Sequence, residues 1–283
     1  MILVTGATGH LGSATIDFLL ETTPSTQIVA LVRDVAKAGN LAEKGVEVRQ
    51  GDYSDADSLS KAFEGIDTLL LISSSSMENR LLQHTNAIDA AKKAGVKYIV
   101  YTSLVKPSYE SKFLPGLDHI KTEEYLKASG LNYVVFRNTF YAEVLPMLLG
   151  NALETGDWYY PVGDAKINLV ARFDIAEGLA KVLVAPEKHL NQVYEITSGE
   201  SLSFTQIAAL LTEAKGKTIT YTSIPTEAFV GGLQQANLPE PVIAMIVGIA
   251  EAIKDGELST TDAALENILG RKTTPLKSFI ELL

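Results

Sequence analysis

TGATGHLG, residues 5–12, joins a short apolar strand to the start of an amphipathic helix. Its glycines, Gly6, Gly9 and Gly12, have the spacing G-x-x-G-x-x-G. At a strand–turn–helix junction, the first glycine permits the tight turn, the second lets a diphosphate approach the backbone, and the third lets the helix pack closely on the strand. The phosphates then meet free amides at the positive end of the helix. We therefore predict a dinucleotide-binding turn, because in this context a plain turn is the weaker interpretation.

The first half of the chain alternates short apolar strands with helix-patterned segments. Strands are predicted over 2–5, 27–32, 46–50, 67–72, 97–102 and 132–137, and helices over 11–22, 35–44, 55–64, 79–94 and 118–129. Strands that are nearly all apolar indicate a sheet covered on both faces, and strand–helix alternation indicates right-handed βαβ units. We predict an α/β fold with a Rossmann-type, doubly wound parallel sheet.

The alternation fades after about residue 155. Short strands over 158–161, 192–196 and 217–222 mix there with helices near 172–185, 203–215, 225–236, 239–254 and 262–269. We interpret this part as a smaller α/β lobe that covers the substrate at the carboxyl edge of the sheet. The predicted domains are an NAD(P)-binding domain over 1–155 and a smaller C-terminal lobe over 156–283, with strands and helices free to cross the boundary.

Composition disfavours several classes of function. With 46% hydrophobic and 20% charged residues, the 283-residue chain has the make-up of a soluble globular protein. Its net charge of −10, without any Lys/Arg run longer than two residues, disfavours nucleic-acid binding. The lack of cysteine excludes disulfides and thiol chemistry and fits a reducing cytoplasm. No apolar run approaches the roughly 20 residues that cross a bilayer, and the start of the chain, broken by Gly6, predicts neither a signal peptide nor membrane insertion.

The end of the second predicted strand distinguishes NADP from NAD. An acidic residue there hydrogen-bonds the ribose 2′-hydroxyl of NAD, whereas an arginine accommodates the 2′-phosphate of NADP. The sequence is LVRD, with Arg33 at the strand end and Asp34 one residue later, where an aspartate serves well as a helix cap. A solvated surface arginine is the alternative. Beside the glycine turn we favour the phosphate role, and therefore NADP(H) as the cofactor.

Two further loops follow strands and are expected to border the cofactor. GDYSD (51–55) follows the third strand and would pass the adenine. ISSSS (72–76) follows the fourth strand and would pass the diphosphate and the nicotinamide ribose, although a serine run by itself is typical of an ordinary loop. The binding residues predicted in these loops are Asp52, Tyr53, Ser73, Ser74 and Ser75.

Several motifs together resemble a known family. They are TGATGHLG (5–12), LVRDVAKA (31–38), GVEVRQGDYSD (45–55), LLLISSS (69–75), AAKKAGVKYIVYTSL (90–104), FRNTFYAE (136–143), TSGESLSFTQIAALL (197–211) and TTPLKSFIELL (273–283). The combination is similar to the NmrA-like atypical short-chain dehydrogenases, and more narrowly to the bacterial NADPH:quinone oxidoreductases of that group, with the triphenylmethane dye reductases as close cousins. The resemblance implies an NADPH-dependent oxidoreductase that transfers a hydride to a quinone or a similar conjugated acceptor.

The same resemblance assigns residues to the cofactor. The diphosphate would be held by Gly6, Ala7, Thr8, Gly9, His10, Leu11 and Gly12. Arg33 would bind the 2′-phosphate, and Ser73–Ser75 would flank the ribose. The nicotinamide end would be lined by Arg137, Asn138, Thr139, Phe140 and Tyr141. Arg172 also matches a family position near the cofactor, but a helix-start arginine paired with Asp174 or Glu177 explains it equally well.

The chain lacks the proton-donating pair of most short-chain dehydrogenases. That pair is Tyr-x-x-x-Lys, in which one helical turn places a lysine beside the catalytic phenol and lowers its pKa. No tyrosine of this chain has a lysine four residues on, and Tyr109 and Lys112 are three residues apart in a loop. Ser103 occupies the place of the usual catalytic serine without these partners. The sequence therefore assigns no catalytic residue.

The helix predicted over 118–129 carries other titratable groups. His119 and Glu123 are four residues apart and share a face. They either face the cleft, where they bind or orient the substrate, or form a partly exposed helix surface with a local ion pair. A metal site is not expected, because the four histidines form no chelating cluster. The substrate-pocket residues proposed from the sequence are His119, Glu123, Phe140 and Tyr141.

The missing pair favours a particular class of acceptor. Reduction of a ketone to an alcohol needs a proton donor, because an alkoxide is strongly basic. Hydride addition to a quinone gives a far less basic hydroquinone anion, which solvent can protonate, so that proximity and orientation contribute most of the rate. Aromatic side chains proposed to stack on a flat acceptor, with core packing as the alternative, are Phe113, Phe140, Tyr141, Trp158 and Tyr159.

Two other functions fit the same features. A triphenylmethane dye or xenobiotic reductase would use the same cofactor and the same kind of acceptor site. A non-enzymatic redox sensor would bind NADP(H) and report its state to a protein partner. The sequence leaves open the physiological acceptor and the oligomeric state, a homodimer included.

Overall fold

Apolar, β-branched segments form the strands, and the computed structural model describes residues 1–76 and 78–283. The strands are β1 (Ile2–Val4), β2 (Ile28–Val32), β3 (Glu47–Gln50), β4 (Thr68–Leu71), β5 (Tyr98–Leu104), β6 (Asn132–Asn138), β7 (Phe140–Tyr141), β8 (Asp157–Tyr160), β9 (Lys166–Ile167), β10 (Leu169–Val170), β11 (Gln192–Ile196), β12 (Leu202–Ser203) and β13 (Thr220–Ser223). The six strands predicted in the first half are all present. β2 and β4 are buried along their whole length, as expected of strands covered on both faces.

Helices connect and cover these strands. They are α1 (His10–Thr22), α2 (Gly39–Glu43), α3 (Ala56–Ala62), α4 (Arg80–Ala94), α5 (Pro115–Ala128), α6 (Leu145–Leu149), α7 (Ala152–Thr155), α8 (Arg172–Val184), α9 (Phe204–Lys215), α10 (Thr226–Gln235), α11 (Glu240–Lys254), α12 (Ala264–Leu269) and α13 (Leu276–Leu282). Short-range signals set their ends. Asp55 caps α3 by accepting from the amides of Asp57 and Ser58, and Gly95 ends α4 with a φ of +78°, a conformation that suits glycine.

The strand order explains where a ligand binds. The central sheet has the order β11-β6-β5-β4-β1-β2-β3, and β1 pairs in parallel with both β2 and β4. The pairs β2–β3, β4–β5 and β5–β6 are also parallel. The chain therefore winds outward in both directions from β1, which confirms the doubly wound, Rossmann-type sheet. In such sheets the crevice lies at the carboxyl ends of the strands where the winding reverses, here between β1 and β4.

The chain forms two compact units. The first comprises residues 1–104, 118–138 and 173–194, and the second comprises 105–117, 139–172 and 195–283. Segments on both sides of residue 155 contribute to each unit, so the chain crosses between them several times. The sequence-based division at that residue stays a prediction.

Each unit has its own apolar core. In the first, strand residues such as Leu3, Leu69 and Ile99 pack with helix residues from α3 and α4. In the second, an aromatic cluster built around Trp158 and Phe204 fills the interior, with the ring centroids of these two residues 4.7 Å apart. Small sheets support it: β8 pairs in parallel with β13, β7 in parallel with β10, and β9 antiparallel with β12.

One strand of the second half of the chain belongs to the central sheet. The segment 192–196 was predicted among the elements of the smaller lobe, but β11 lies beside β6 at the edge of the central sheet. The sequence of a strand indicates that it needs a partner without indicating which one. Among the described residues, none of the helices combines the length and the apolar character needed to cross a bilayer.

Candidate functional site

A groove of about 590 Å³ in the first unit lies at the carboxyl ends of β1 to β4, within the range of small-molecule sites. It is lined by Gly6, Thr8, Gly9, Leu31, Val32, Arg33, Gly51, Asp52, Tyr53, Ile72, Ser73, Ser74, Ser75, Ser76 and Gln83. The groove follows directly from the topology, because each of these strands ends at the same edge of the sheet. It brings together three of the loops that the sequence assigned to a cofactor.

The glycine turn forms one wall of the groove. Gly6 has a φ of +58°, and its carbonyl accepts from the amide of Gly9 at 2.9 Å. A Cβ on Gly12 would overlap the Gly6 carbonyl oxygen and lie 2.9 Å from its carbon, so α1 packs closer than any side chain would allow. The N-terminus of α1 has no side-chain cap and no acidic residue in its first turn. Its amides therefore remain available to a diphosphate.

Arg33 marks the other end of the groove. It is exposed directly after β2, and it also lines an adjoining depression of about 750 Å³. Asp34 accepts from the amide of Ala36 at 3.0 Å and so caps the following short helix. Within the described part of the chain, no carboxylate forms an ion pair with the Arg33 guanidinium. This arrangement fits a site for a 2′-phosphate better than one for a 2′-hydroxyl.

Tyr53 joins the ends of two strands beneath the groove. Its hydroxyl lies 2.5 Å from the Thr5 hydroxyl and 2.7 Å from the Ile72 carbonyl oxygen. The Thr5 hydroxyl also accepts from the Ile72 amide at 2.9 Å. Burial raises the pKa of Tyr53 well above its ordinary value, so the phenol stays protonated and keeps its donor. The tyrosine predicted to pass the adenine therefore also ties the loops after β1 and β4 together.

The serine segment after β4, residues 72–76, is held by side chains rather than by secondary structure. The Ser73 amide donates to Thr102 Oγ1 on β5 at 2.9 Å. The Ser74 amide donates to His84 Nε2 at 2.8 Å, and the Ser74 carbonyl accepts from Arg80 Nε at 2.8 Å. Gln83 Oε1 accepts from the Ser74 hydroxyl. The segment is therefore a positioned wall of the groove and not an ordinary loop.

A chain of buried polar side chains continues from this wall. His84 Nδ1 lies 3.0 Å from Thr122 Oγ1, and the Tyr101 hydroxyl lies 2.7 Å from His119 Nδ1. The rings of His84 and Tyr101 meet edge to face at 5.4 Å. Burial is the largest cause that lowers the pKa of both histidines to about 3, and burial raises that of Tyr101. Both imidazoles are therefore neutral near pH 7, and the phenol is protonated.

Glu123 anchors the end of β6. Its fully buried carboxylate accepts from Arg137 Nε at 2.9 Å and from Arg137 Nη2 at 2.8 Å. It also accepts from the Ser103 hydroxyl at 2.7 Å and pairs with Lys127 at 3.4 Å. Ser103, which lacks its usual partners, thus binds the same carboxylate that holds Arg137. The alternative of a partly exposed helix surface is wrong for His119 and Glu123, because they are 7% and 0% exposed; their contact with a substrate stays a prediction.

The residues predicted at the nicotinamide end fall in both units. In the first, Asn138 is buried, and within the described residues neither polar atom of its amide has a hydrogen-bond partner. In the second, the Thr139 hydroxyl donates to the Asn168 carbonyl at 2.9 Å. Asn138 does not line the groove, so its contact with the nicotinamide stays a prediction, whereas the Thr139 hydroxyl is engaged in the fold.

The aromatic residues of the second unit that were proposed to stack on the acceptor differ in their contacts and exposure. Phe113 and Phe140 meet edge to face at 5.6 Å, and the Arg172 guanidinium lies 5.1 Å from the centre of the Tyr141 ring. Of the two further aromatic residues proposed to stack on the acceptor, Trp158 is 1% exposed and forms part of the core, as in the core-packing alternative. Tyr159 is 53% exposed, and its stacking role stays a prediction. These two residues alternate along β8, so one side chain points into the core and the next toward solvent.

The groove accounts for part of the predicted cofactor set. The predicted residues that line it are Gly6, Thr8, Gly9, Arg33, Asp52, Tyr53, Ser73, Ser74 and Ser75. Ala7, Leu11 and Gly12 are buried behind the turn, and His10 is exposed at the start of α1. Gly51, Ile72 and Ser76 also line it and belong to the two loops predicted to border the cofactor, whereas Leu31, Val32 and Gln83 were missed by sequence reasoning. The position of Gln83 in the first turn of the helix after the serine loop is the signal that could have found it.

Comparisons with known proteins agree with this geometry. Residues 1–280 match the model of the NmrA-like family. The chain is 40% identical over 276 residues to quinone oxidoreductase 2 of Escherichia coli (strain K12), covering 98% of this chain and 96% of that protein. A crystal structure of that NADPH-dependent enzyme complexed with NADPH matches with a TM-score of 0.95 at 39% identity, covering 100% of this chain and 99% of the other. Citrobacter sp. triphenylmethane reductase complexed with NADP(H) matches with a TM-score of 0.94 at 36% identity, again covering 100% and 99%.

Proposed function

The chain belongs to the NmrA-like family, and from that premise we propose that it is an NADPH-dependent reductase that transfers a hydride to a quinone. The observation that carries the proposal is the groove that runs from the glycine turn past the serine segment to Arg33. Its shape and charge fit a dinucleotide with a 2′-phosphate. The quinone as acceptor is supported by the full-length similarity to quinone oxidoreductase 2.

Bound NADPH supplies the hydride, and the protein supplies position. The amides at the start of α1 bind the diphosphate, and Arg33 pairs with the 2′-phosphate. Ser73–Ser75 flank the ribose from a wall that side chains hold in place.

The proposed reaction does not need a tyrosine–lysine pair to deliver a proton. The Tyr101 hydroxyl lies 2.7 Å from His119 Nδ1. With the phenol as the donor of this hydrogen bond, the proton of the neutral imidazole is on Nε2. From that atom His119 can donate a hydrogen bond to an acceptor oxygen that gains negative charge. Solvent then protonates the hydroquinone anion. Ser103 and Arg137 are both engaged by Glu123 and take no part in proton transfer.

Location and assembly are also proposals. The cysteine-free composition favours a reducing cytoplasm, and a homodimer remains a prediction from the sequence.

The acceptor side is tested with a panel of substrates. Purified protein is mixed with NADPH or NADH and with quinones, a triphenylmethane dye or simple aldehydes, and absorbance of the reduced cofactor is followed. Turnover of quinones with NADPH is expected; preference for the dye would identify a dye reductase, and binding without turnover a sensor.

The cofactor side is tested by Arg33→Ala. Loss of a charge-assisted pair is expected to weaken NADPH binding about tenfold or more and to leave NADH binding unchanged. Lys37→Ala, a change of another exposed cation in the following short helix, is the matched control. An equal loss of NADH binding in Arg33→Ala would contradict the phosphate role.

A further inference from the structure

One residue that does not line the groove controls a wall of it. Ser74 is bound at every polar position by one turn of α4: Arg80 at its carbonyl, Gln83 at its hydroxyl and His84 at its amide. Residues at spacings i, i+3 and i+4 share one face of a helix. The N-terminal turn of α4 is therefore a clamp on the serine segment, defined by Arg80, Gln83 and His84.

The hydrogen-bond partners assign the proton of the His84 ring. A backbone amide can only donate, so His84 Nε2, at 2.8 Å from the Ser74 amide, carries no hydrogen. In a neutral imidazole the hydrogen is then on Nδ1, which lies 3.0 Å from Thr122 Oγ1. The Thr122 hydroxyl donates its own hydrogen to the Asp118 carbonyl at 2.7 Å, so its oxygen is free to accept. Each group in the chain has a single consistent role.

The surroundings of His84 keep that role constant. Its side chain is fully buried, Tyr101 lies at its edge, and the positive charge of Arg80 acts on the ring. A protonated ring would have no acceptor for the Ser74 amide and would be a second cation beside Arg80. The neutral ring is therefore the only form that holds the serine segment.

We propose that His84 is a positioning residue of the dinucleotide site, which holds the serine segment in its cofactor-binding conformation through Nε2. The inference rests on the proposed function, because it assigns that groove to NADPH. His84 acts through Ser74 and does not touch the cofactor. It is the most buried member of the clamp and the only one that binds the backbone amide.

Two substitutions separate this role from plain packing. His84→Phe keeps a ring in the same space but removes the acceptor of the Ser74 amide. His84→Gln places an amide oxygen near the former Nε2 and restores the acceptor. The expected result is that His84→Phe raises the KM and the Kd for NADPH about tenfold, with kcat and the KM for the quinone nearly unchanged, and that His84→Gln recovers most of the affinity.

A second histidine provides the matched control. His189 Nδ1 lies 2.9 Å from the Tyr194 hydroxyl, and the two rings meet edge to face at 5.8 Å. His189→Phe therefore removes a similar histidine–tyrosine contact that is not part of the groove, and NADPH binding is expected to stay at the wild-type level. If His84→Phe binds NADPH as tightly as the wild type, the inference is wrong while the proposed function stands. If the wild type itself fails to bind NADPH, both are wrong.

A measurement on the unaltered protein covers the case in which His84→Phe does not fold. With selective ¹⁵N labelling of the four histidines, NMR shows which ring nitrogen of each imidazole carries the hydrogen. The His84 signals are assigned by their absence from the spectrum of His84→Gln. They are expected to show a hydrogen on Nδ1 and none on Nε2 at neutral pH. A hydrogen on Nε2 would overturn the inference, since the Ser74 amide could not then donate to it.

Discussion

The glycine turn and the serine segment line the same groove but are held in place by opposite means. The turn is shaped by its own backbone: Gly6 adopts a φ of +58°, and Gly12 lets α1 approach the strand. The serine segment is shaped by side chains from β5 and α4 that bind its amides and carbonyl. Adding a side chain is therefore expected to disrupt the glycine turn, and removing a side chain is expected to disrupt the serine segment. The predictions below test that difference.

The largest effect is expected where a side chain would enter the turn. In Gly12→Ala the new Cβ would lie 2.9 Å from the Gly6 carbonyl carbon and 3.0 Å from Ala7 Cα. These are backbone atoms on which α1 packs, so they cannot move aside independently. We expect the free energy of unfolding to fall by about 3 kcal/mol, with loss of NADPH binding, measured by urea unfolding and by cofactor fluorescence.

Gly39→Ala is the control for this change. A Cβ at Gly39 meets no atom within 4 Å, and the residue lies at the start of α2. Alanine there is expected to leave stability unchanged or to raise it by about 0.5 kcal/mol. Equal stability of Gly12→Ala and the wild type would mean that close packing does not hold the turn.

The next largest effect is a change of the free energy of unfolding with pH, and it tests the histidine that holds the serine segment. The pKa of His84 is lowered from its ordinary 6.5 to about 3, so below pH 6.5 the unfolded chain binds a proton that the folded protein does not. The free energy of unfolding therefore falls as the pH falls, by about 1.4 kcal/mol per pH unit for each such histidine. Between pH 7 and pH 5 His84 contributes a loss of about 2 kcal/mol.

His84→Gln removes this contribution and leaves that of His119 in place. The variant is expected to lose about 2 kcal/mol less than the wild type between pH 7 and pH 5, in urea titrations at both values. Asp67, whose pKa the Lys97 ammonium and the N-terminus lower to about 2, loses its contribution only at lower pH. Parallel losses in the two proteins would show that His84 is not buried as a neutral ring.

The same contrast explains what could be predicted from the sequence. The turn is encoded by eight consecutive residues whose geometry depends on missing Cβ atoms, so their spacing, together with the strand before them and the helix after them, predicted it. The alternation of strands and helices is equally local, and it predicted the sheet. The clamp on Ser74 depends on His84, ten residues later, and on Thr122, a further 38 residues on. In the sequence, His84 is a histidine within a predicted helix, and no local pattern identifies its partners.

Other features that the sequence left open have related causes. Trp158 and Tyr159 are neighbours in sequence, and only the side of β8 that faces the core decides which one is buried. β11 has the pattern of a strand, but its place beside β6 depends on the tertiary fold. Glu123 was correctly placed on a face with His119, yet its partners Ser103 and Arg137 come from two different strands. Local pattern predicts elements, whereas the pairing of distant side chains requires the structure.

A smaller effect distinguishes two ways in which glycine serves the turn. In Gly6→Ala the new Cβ would meet the Ile72 side chain at 3.6 Å, an ordinary contact, so the cost comes from the backbone φ of +58° alone. We expect a loss of about 1 kcal/mol in the free energy of unfolding, clearly less than for Gly12→Ala. Gly9→Ala, whose Cβ would lie 3.1 Å from the Gly6 carbonyl oxygen, gives the comparison without a positive φ. A larger loss for Gly6→Ala than for Gly12→Ala would reverse the order of the two causes.

The smallest effect is expected at the outer part of the clamp. Gln83 accepts from the Ser74 hydroxyl and donates to the Ser54 hydroxyl at 2.9 Å, so it joins the serine segment to the loop after β3. Ser54 is exposed and Ser74 is only partly buried, so Gln83→Leu leaves no fully buried residue unpaired, and we expect the KM for NADPH to rise only about two- to threefold. Thr85→Val, two residues along the same helix, is the control, because among the described residues the Thr85 hydroxyl bonds only the Leu82 carbonyl of its own helix. If Gln83→Leu weakened NADPH binding as much as His84→Phe, the wall would depend on the link between the two loops rather than on the buried acceptor beneath Ser74.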